Sequence, residues 1–296
     1  MLKKIDIHVH SVLEKGTLRP DGGDFTTPDE LRAMYDTLGI EKGVQLPTIS
    51  PEGQYHTLTN EDARKLAALY PETYYWFCNI DPRGASNSPD MDWSYVLEQY
   101  KAWGARGVGE MVANMYFDDP MVLNVFKHCE KCELPVLFHI GQKGNDYGLI
   151  DELGLPRLEK VLGMFPKLTF IGHSQKFWAE ISGDCTEELR GGYPTGRVIP
   201  GGRVPELLRK YPNLRGDMSA GSGCNAIMRD PAFGYAFIEE FQDQLFFGTD
   251  ICDPRDITSF MLRLSHFLDE AVEKRYISET AYAKVCRMNA LAILEK

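Results

Sequence analysis

Seven histidines occur in the chain, at positions 8, 10, 56, 128, 139, 173 and 266, and four of them close short apolar runs. In Ile5-Asp6-Ile7-His8-Val9-His10 the two-residue period of a strand puts both imidazoles on one face, with Ile7 and Val9 supplying the apolar outward face. Two ring nitrogens on one side suit a small divalent cation. His139 ends Val136-Leu137-Phe138, and His173 ends Phe170-Ile171-Gly172. Asp250 ends Leu245-Phe246-Phe247-Gly248-Thr249, and Glu110 follows Gly107-Val108-Gly109. Each has an ordinary reading alone: a hydrogen-bonded core histidine, a helix-capping aspartate, a polar strand end. Taken together, they are six metal-ligand types at the ends of apolar runs. Buried side by side they need a common partner, and a cation satisfies all of them.

Short apolar runs alternate with amphipathic segments along the chain. Strands are predicted at 2–9, 40–46, 73–80, 106–112, 135–140, 168–173, 213–219 and 245–249. Helices are predicted at 28–38, 60–70, 93–103, 120–133, 154–165, 203–210, 232–242, 255–270 and 279–294. Thr27-Pro28-Asp29-Glu30 has the cap, the first-turn proline and the glutamate of a helix start, and Ser278 is a cap for the last helix. Tyr70-Pro71, Phe165-Pro166 and Tyr211-Pro212 each stop a helix before a strand. Strand and helix in alternation predict an α/β fold, most economically a single (β/α)8 TIM barrel over 1–296; a doubly wound open sheet is the alternative. In a barrel the C-terminal strand ends converge on one face, and the six candidate ligands converge with them. Residues 174–202, rich in glycine and without a long helix, are expected to form a lid or pocket wall beside His173.

With Lys+Arg 32 and Asp+Glu 43, the formal net charge is −11. This acidic balance, with no basic cluster, speaks against nucleic acid or an anionic membrane as partner. No apolar stretch has the length of a signal peptide core or a spanning helix, so the expected setting is the cytoplasm. Seven irregularly spaced cysteines do not form a disulfide framework, and Cys129-Glu130-Lys131-Cys132 lacks the second pair of a zinc site. Gly221-Ser222-Gly223 lacks the lysine of a phosphate loop and is read as a flexible loop. Trp76, Trp93 and Trp103 are assigned to packing, and His56, His128 and His266 to positions away from ligation.

The order of the candidate groups resembles the amidohydrolase superfamily, and more closely the amidohydrolase 2 family around aminocarboxymuconate semialdehyde decarboxylase. Asp6-Ile7-His8-Val9-His10, Phe138-His139, Gly172-His173, Gly248-Thr249-Asp250 and the closing Asn289-Ala290 with Leu291 and Leu294 carry the resemblance, which runs over essentially the whole chain. It implies His8, His10, His139 and Asp250 as metal ligands and His173 as acid/base. The order His-x-His, Glu, His, His, Asp is also similar to TatD-type deoxyribonucleases, which makes Glu110 a candidate bridging ligand and His173 a second-metal ligand. Glu110 is expected between His10 and His139.

Nitrogen and oxygen ligation without cysteine favours zinc, with manganese next, as one or two ions. Asp250 would take a proton from water and pass it to the leaving group, and His173 would stabilise an oxyanion where it is not a ligand. Asp6 is a candidate to orient one histidine. Gln142, Lys143, Ser174, Trp178 and Arg255 are candidate substrate contacts, with Asp217, Ser219 and Asn225 flanking the seventh strand. The leading expectation is a metal-dependent hydrolase of a carbonyl, ester or amide-type bond in a small molecule. The alternatives are a metal-dependent non-oxidative decarboxylase of a small carboxylic acid and a non-catalytic metal-bound barrel that binds a ligand. Self-association into a homo-oligomer is compatible with the sequence.

Overall fold

The computed structural model describes residues 2–52, 56–144 and 146–296. Among the described residues nine strands occur: β1 Lys4–Val9, β2 Ile40–Gln45, β3 Tyr74–Trp76, β4 Val108–Met111, β5 Val136–Gly141, β6 Leu149–Ile150, β7 Phe170–His173, β8 Leu214–Asp217 and β9 Leu245–Phe246. The helices are α1 Pro28–Leu38, α2 Asn60–Leu69, α3 Ser94–Ala102, α4 Pro120–Lys131, α5 Pro156–Met164, α6 Gln175–Trp178, α7 Glu187–Arg190, α8 Arg203–Lys210, α9 Ala220–Met228, α10 Pro231–Glu240, α11 Arg263–Glu273, α12 Glu279–Ala283 and α13 Asn289–Leu294.

The eight expected strands are all present, every ladder is parallel, and β6 is an addition that pairs beside β5. The ladders divide into two sheets, β1-β2-β3 and β4-β5-β7-β8-β9, instead of one continuous ring. The seams between them carry single bridges: Cys78 to Val108 on one side, and Val9 to Ile251 on the other, where Ile7 N also donates to Phe247 O at 3.1 Å.

Several starts and stops have the causes read from sequence. Thr27 N donates to the Glu30 carboxylate at 2.8 Å ahead of α1, and Ser278 Oγ accepts from Ala281 N at 3.1 Å ahead of α12. Two expectations fail. The helix placed at 255–270 is two short 3-10 turns, Pro254–Thr258 and Phe260–Leu262, followed by α11. Asp253 caps the first turn, but Ser259 is extended at φ −72° and ψ 149° and interrupts the run. The stretch Gly221-Ser222-Gly223 is the start of helix α9, not a flexible loop. A side chain at Gly223 would meet the Met218 backbone at 2.3 Å, so this glycine serves close approach of helix to strand.

Two apolar layers result. An inner cluster takes Ile5, Ile7, Val44, Phe77, Leu137 and Ile171 from successive strands, and α13 adds Ala290 and Leu294. The larger cluster lies between strands and helices and includes Val9, Phe138 and Phe170. Ile7 therefore belongs to the inner cluster with Ile5, contrary to its expected outward position. The register of β1 against β2 shifts between Asp6 and Val9, and that irregularity lets His8 and His10 face the same inner side as Ile7.

Candidate metal centre

The six candidate ligands come together above the inner apolar cluster. His8 and His10 close β1, Glu110 lies in β4, His139 in β5, His173 ends β7, and Asp250 follows β9. All but Asp250 are buried. Glu110 is delivered by Gly109, whose φ of +149° and close approach to the Leu137 carbonyl, 2.6 Å from a built Cβ, exclude a side chain. Asp250 takes the left-handed conformation at φ 59°, with its N–H donated to His8 O at 2.8 Å.

Hydrogen bonds set the tautomers. His8 Nδ1 stands 2.7 Å from Asp217 Oδ2, and His10 Nδ1 stands 3.0 Å from the Leu46 carbonyl. Each Nδ1–H donates to its oxygen, so each Nε2 carries a lone pair. These two Nε2 atoms are 3.1 Å apart. Asp250 Oδ1 is 3.4 Å from the first and 3.6 Å from the second; Glu110 Oε2 is 3.7 Å and 3.6 Å away. Four ligands at ~2.1 Å around a tetrahedral ion are about 3.4 Å from one another. The donor set fits a zinc-sized cation, and without positive charge its lone pairs would repel. Burial disfavours a charged His8, yet Asp250, Asp217 and Glu110 outweigh it and hold its pKa well above the ordinary histidine value. Burial also works against a charged Glu110, but its contacts with His10, His139 and His8 keep it well below the usual carboxylate range. The centre is built to hold positive charge.

The other Glu110 oxygen faces a second group. Oε1 is 2.9 Å from His139 Nδ1 and 3.8 Å from His173 Nε2. Glu110, His139 and His173 thus form a second set of converging donors beside His8, His10 and Asp250. As expected, Glu110 stands between His10 and His139.

Asp217, the last residue of β8, is fully buried. Its Oδ2 also stands 3.1 Å from His173 Nδ1, so one carboxylate turns Nε2 of both His8 and His173 toward the centre. Ser219 N and Oγ donate to it at 2.9 and 2.7 Å. Burial opposes its charge, but the two histidines outweigh this and hold its pKa far below the usual range. By sequence alone Asp217 stands only among the polar residues flanking the seventh strand. Its place at the end of an apolar strand was the signal shared with the other groups. The orienting role given to Asp6 falls to Asp217. Asp6 instead accepts from His8 N, Thr249 N, Thr249 Oγ1 and Tyr35 OH, tying β1 to the segment after β9, and burial raises its pKa to about 6.

A cavity of about 270 Å³ opens over His10, Glu110, His139 and Asp250. Arg19, Phe25 and His56 also line it, with Tyr147 and Cys252. The expected substrate contacts lie elsewhere. Trp178 is buried, spends Nε1 on the Asp217 carbonyl at 2.7 Å and packs against Gly216. Ser174 is buried and caps α6, accepting from Phe177 N at 3.3 Å. Arg255 is engaged by Asp253 and Asp21 at the surface. Lys143 lies 5.5 Å over the Tyr116 ring. Gln142 lines a side cavity of about 220 Å³ that also touches His139, Tyr147, Lys176 and Gly191. That side cavity is where residues 174–202 meet the site: they follow His173 and supply a wall to the neighbouring cavity, not to the main one.

No known sequence family and no curated protein matches the chain. Solved structures do. An uncharacterised TIM-barrel protein from Bordetella bronchiseptica is similar at TM-score 0.65 and 18% identity over 99% of each chain. A probable 2-pyrone-4,6-dicarboxylic acid hydrolase from Acinetobacter baumannii, with citric acid bound, is similar at 0.57 and 12% over 100% of each. The 2,6-dihydroxybenzoate decarboxylase from Rhizobium is similar at 0.56 and 15% over 100% of this chain and 99% of that one. The chain shares its fold with these structures and with two others described as amidohydrolases. Among the described residues no helix is long and apolar enough to cross a membrane.

Proposed function

We propose that the protein is an amidohydrolase-superfamily enzyme, a single (β/α)8 barrel that uses divalent metal to hydrolyse a carbonyl, ester or amide-type bond of a small molecule. The observation that carries this reading is the division of the Glu110 carboxylate: Oε2 faces His8 and His10, and Oε1 faces His139 and His173. A carboxylate with one oxygen in each of two donor sets is the arrangement that bridges two ions. His8, His10 and Asp250 would hold one, His139 and His173 the other, and Glu110 both. Zinc suits these donors best, with manganese next.

Bound metal supplies a Lewis acid and a water made acidic near neutrality. The chain does the rest. Asp250, part-exposed at the cavity floor, has Oδ1 toward His8 and His10 and Oδ2 3.8 Å from His173 Nε2. It is placed to take a proton from water and return it to a leaving group. Asp217 fixes the His173 ring so that Nε2 presents to the cavity side. Cavity size restricts the substrate to a small molecule.

A specific distance favours the second reading, a one-metal decarboxylase. His139 Nδ1 and Glu110 Oε1 at 2.9 Å are in hydrogen-bond contact, and a proton kept there leaves only the His8 set for metal. Similar folds include decarboxylases as well as a hydrolase. Metal analysis of protein purified without chelator, then reloaded with zinc, separates them. Two ions per chain support the hydrolase, one keeps the decarboxylase open beside a one-metal hydrolase, and none overturns both.

A further inference from the structure

The cavity over the candidate metal centre is lined by acids, and its lining includes a guanidinium, Arg19, that feels Asp253 and Asp256 at longer range but is in contact with neither. Arg19 enters from a tight turn in which Arg19 N donates to Gly23 O at 2.8 Å. Its guanidinium lies 4.9 Å over the Phe25 ring. Phe25 in turn is 6.2 Å from the His10 ring and 5.8 Å from the His56 ring. One aromatic ring therefore spaces the guanidinium from His10 at the floor and holds it by a cation–π contact.

Among the described residues no carboxylate forms an ion pair with Arg19; the Cys252 thiol is its hydrogen-bonding neighbour. Nearby cations are engaged: Arg255 by Asp253 and Asp21, and Lys15 by Glu30 and the Phe25 carbonyl. The wall acid Asp24 is engaged too, accepting from Gly16 N and Phe25 N. His56, which also packs on Phe25, has Nδ1 buried without a hydrogen-bond partner, 3.6 Å from the Asp24 carboxylate. The planar fork of donors on Arg19 thus lines the cavity, while His56 Nδ1 is turned toward Asp24.

We infer that Arg19, held over the Phe25 ring, binds a carboxylate that the substrate carries away from its reacting group. This rests on the metal-dependent reading above: the reacting group would lie over His10, Glu110 and Asp250, and the second anionic group would lie on the Phe25 wall. The substrate is a small bifunctional acid. A carboxylate matches the guanidinium fork, whereas a bulkier dianion would be set against Asp24, Asp250 and Glu110 in a cavity of about 270 Å³.

The test uses zinc-loaded protein and titration calorimetry with glutarate and with its monoamide, glutaramate, which keeps the length and removes one charge. Glutarate is expected to bind at least about tenfold tighter than glutaramate, as a charge-assisted contact requires. In Arg19→Gln the preference is expected to vanish, and in Arg19→Lys to persist in part. Equal affinity for the two ligands, no binding of glutarate at millimolar concentration, or a preference unchanged in Arg19→Gln would overturn the inference. Zinc content measured on the same samples separates it from the parent reading. If zinc fails to bind, the metal-dependent function falls, and the glutarate preference of the metal-free protein still decides the role of Arg19.

Discussion

Asp217 Oδ2 lies 2.7 Å from Nδ1 of His8, and both side chains are fully buried. The same oxygen reaches His173, so one charge orients two imidazoles. Asp217→Asn keeps the shape but weakens both contacts. Metal affinity is expected to fall about 10- to 100-fold, as for other orienting carboxylates, with little change in secondary structure. Competition against a chelating dye reads this directly; unchanged affinity would show that the histidines hold their rings without it.

His8 and His10 stand above the inner apolar cluster and are not part of it. The double variant His8→Ala/His10→Ala is expected to lose metal while it still unfolds cooperatively. Metal analysis alongside circular dichroism checks both halves. A full complement of metal in that variant would place the centre elsewhere.

Glu110 is the residue on which the ion count turns. In Glu110→Gln the amide cannot bridge, and metal content is expected to fall from two ions per chain to one or none, with turnover lost as well. If wild type and variant both hold one ion, Glu110 acts through its hydrogen bond with His139 instead.

Glu180 and Arg190 form an ion pair at 2.6 Å within residues 174–202, with side chains 2% and 1% exposed. Glu180 also accepts from Gly154 N at 2.8 Å, and Arg190 donates to the Asp151 carbonyl at 2.7 Å, so the pair anchors the segment to the loop after β6. Removing one partner leaves a buried charge, at a cost of roughly 3–5 kcal/mol. Glu180→Gln and Arg190→Met are each expected to destabilise by that order, and the double variant by less than their sum. Urea unfolding gives the three values; strict additivity would show that the pair is not coupled.

Gly109 has positive φ against the Leu137 carbonyl. Gly109→Ala is expected to lower stability by about 1–3 kcal/mol, seen as a fall of several degrees in Tm, and to displace Glu110. Wild-type Tm together with wild-type metal content would refute this.

The sequence by itself determined the alternation of strands and helices and five of the strand ends that carry ligands. These are local matters: a β-branched or aromatic run needs burial, and a proline stops a helix wherever the chain goes next. His139 and His173 were legible because Leu137 and Ile171, two residues earlier, are the inner partners that strand period requires. Position along one strand says nothing about the neighbour across a ladder, and there the tertiary structure decided. The shift in β1 that puts His8 and His10 on the same inner side as Ile7 arises only against β2. The choice of Asp217 over Asp6 as the orienting carboxylate depends on which side of its strand each faces: Asp6 turns outward to Tyr35 in α1, Asp217 inward to two histidines. Likewise Trp178 and Ser174 follow His173 in sequence yet are turned into packing, while Arg19 and Phe25, from the loop after β1, form the cavity wall. Polar loop residues carry no local signal of direction; the partners that engage or spare their charge come from elsewhere in the chain.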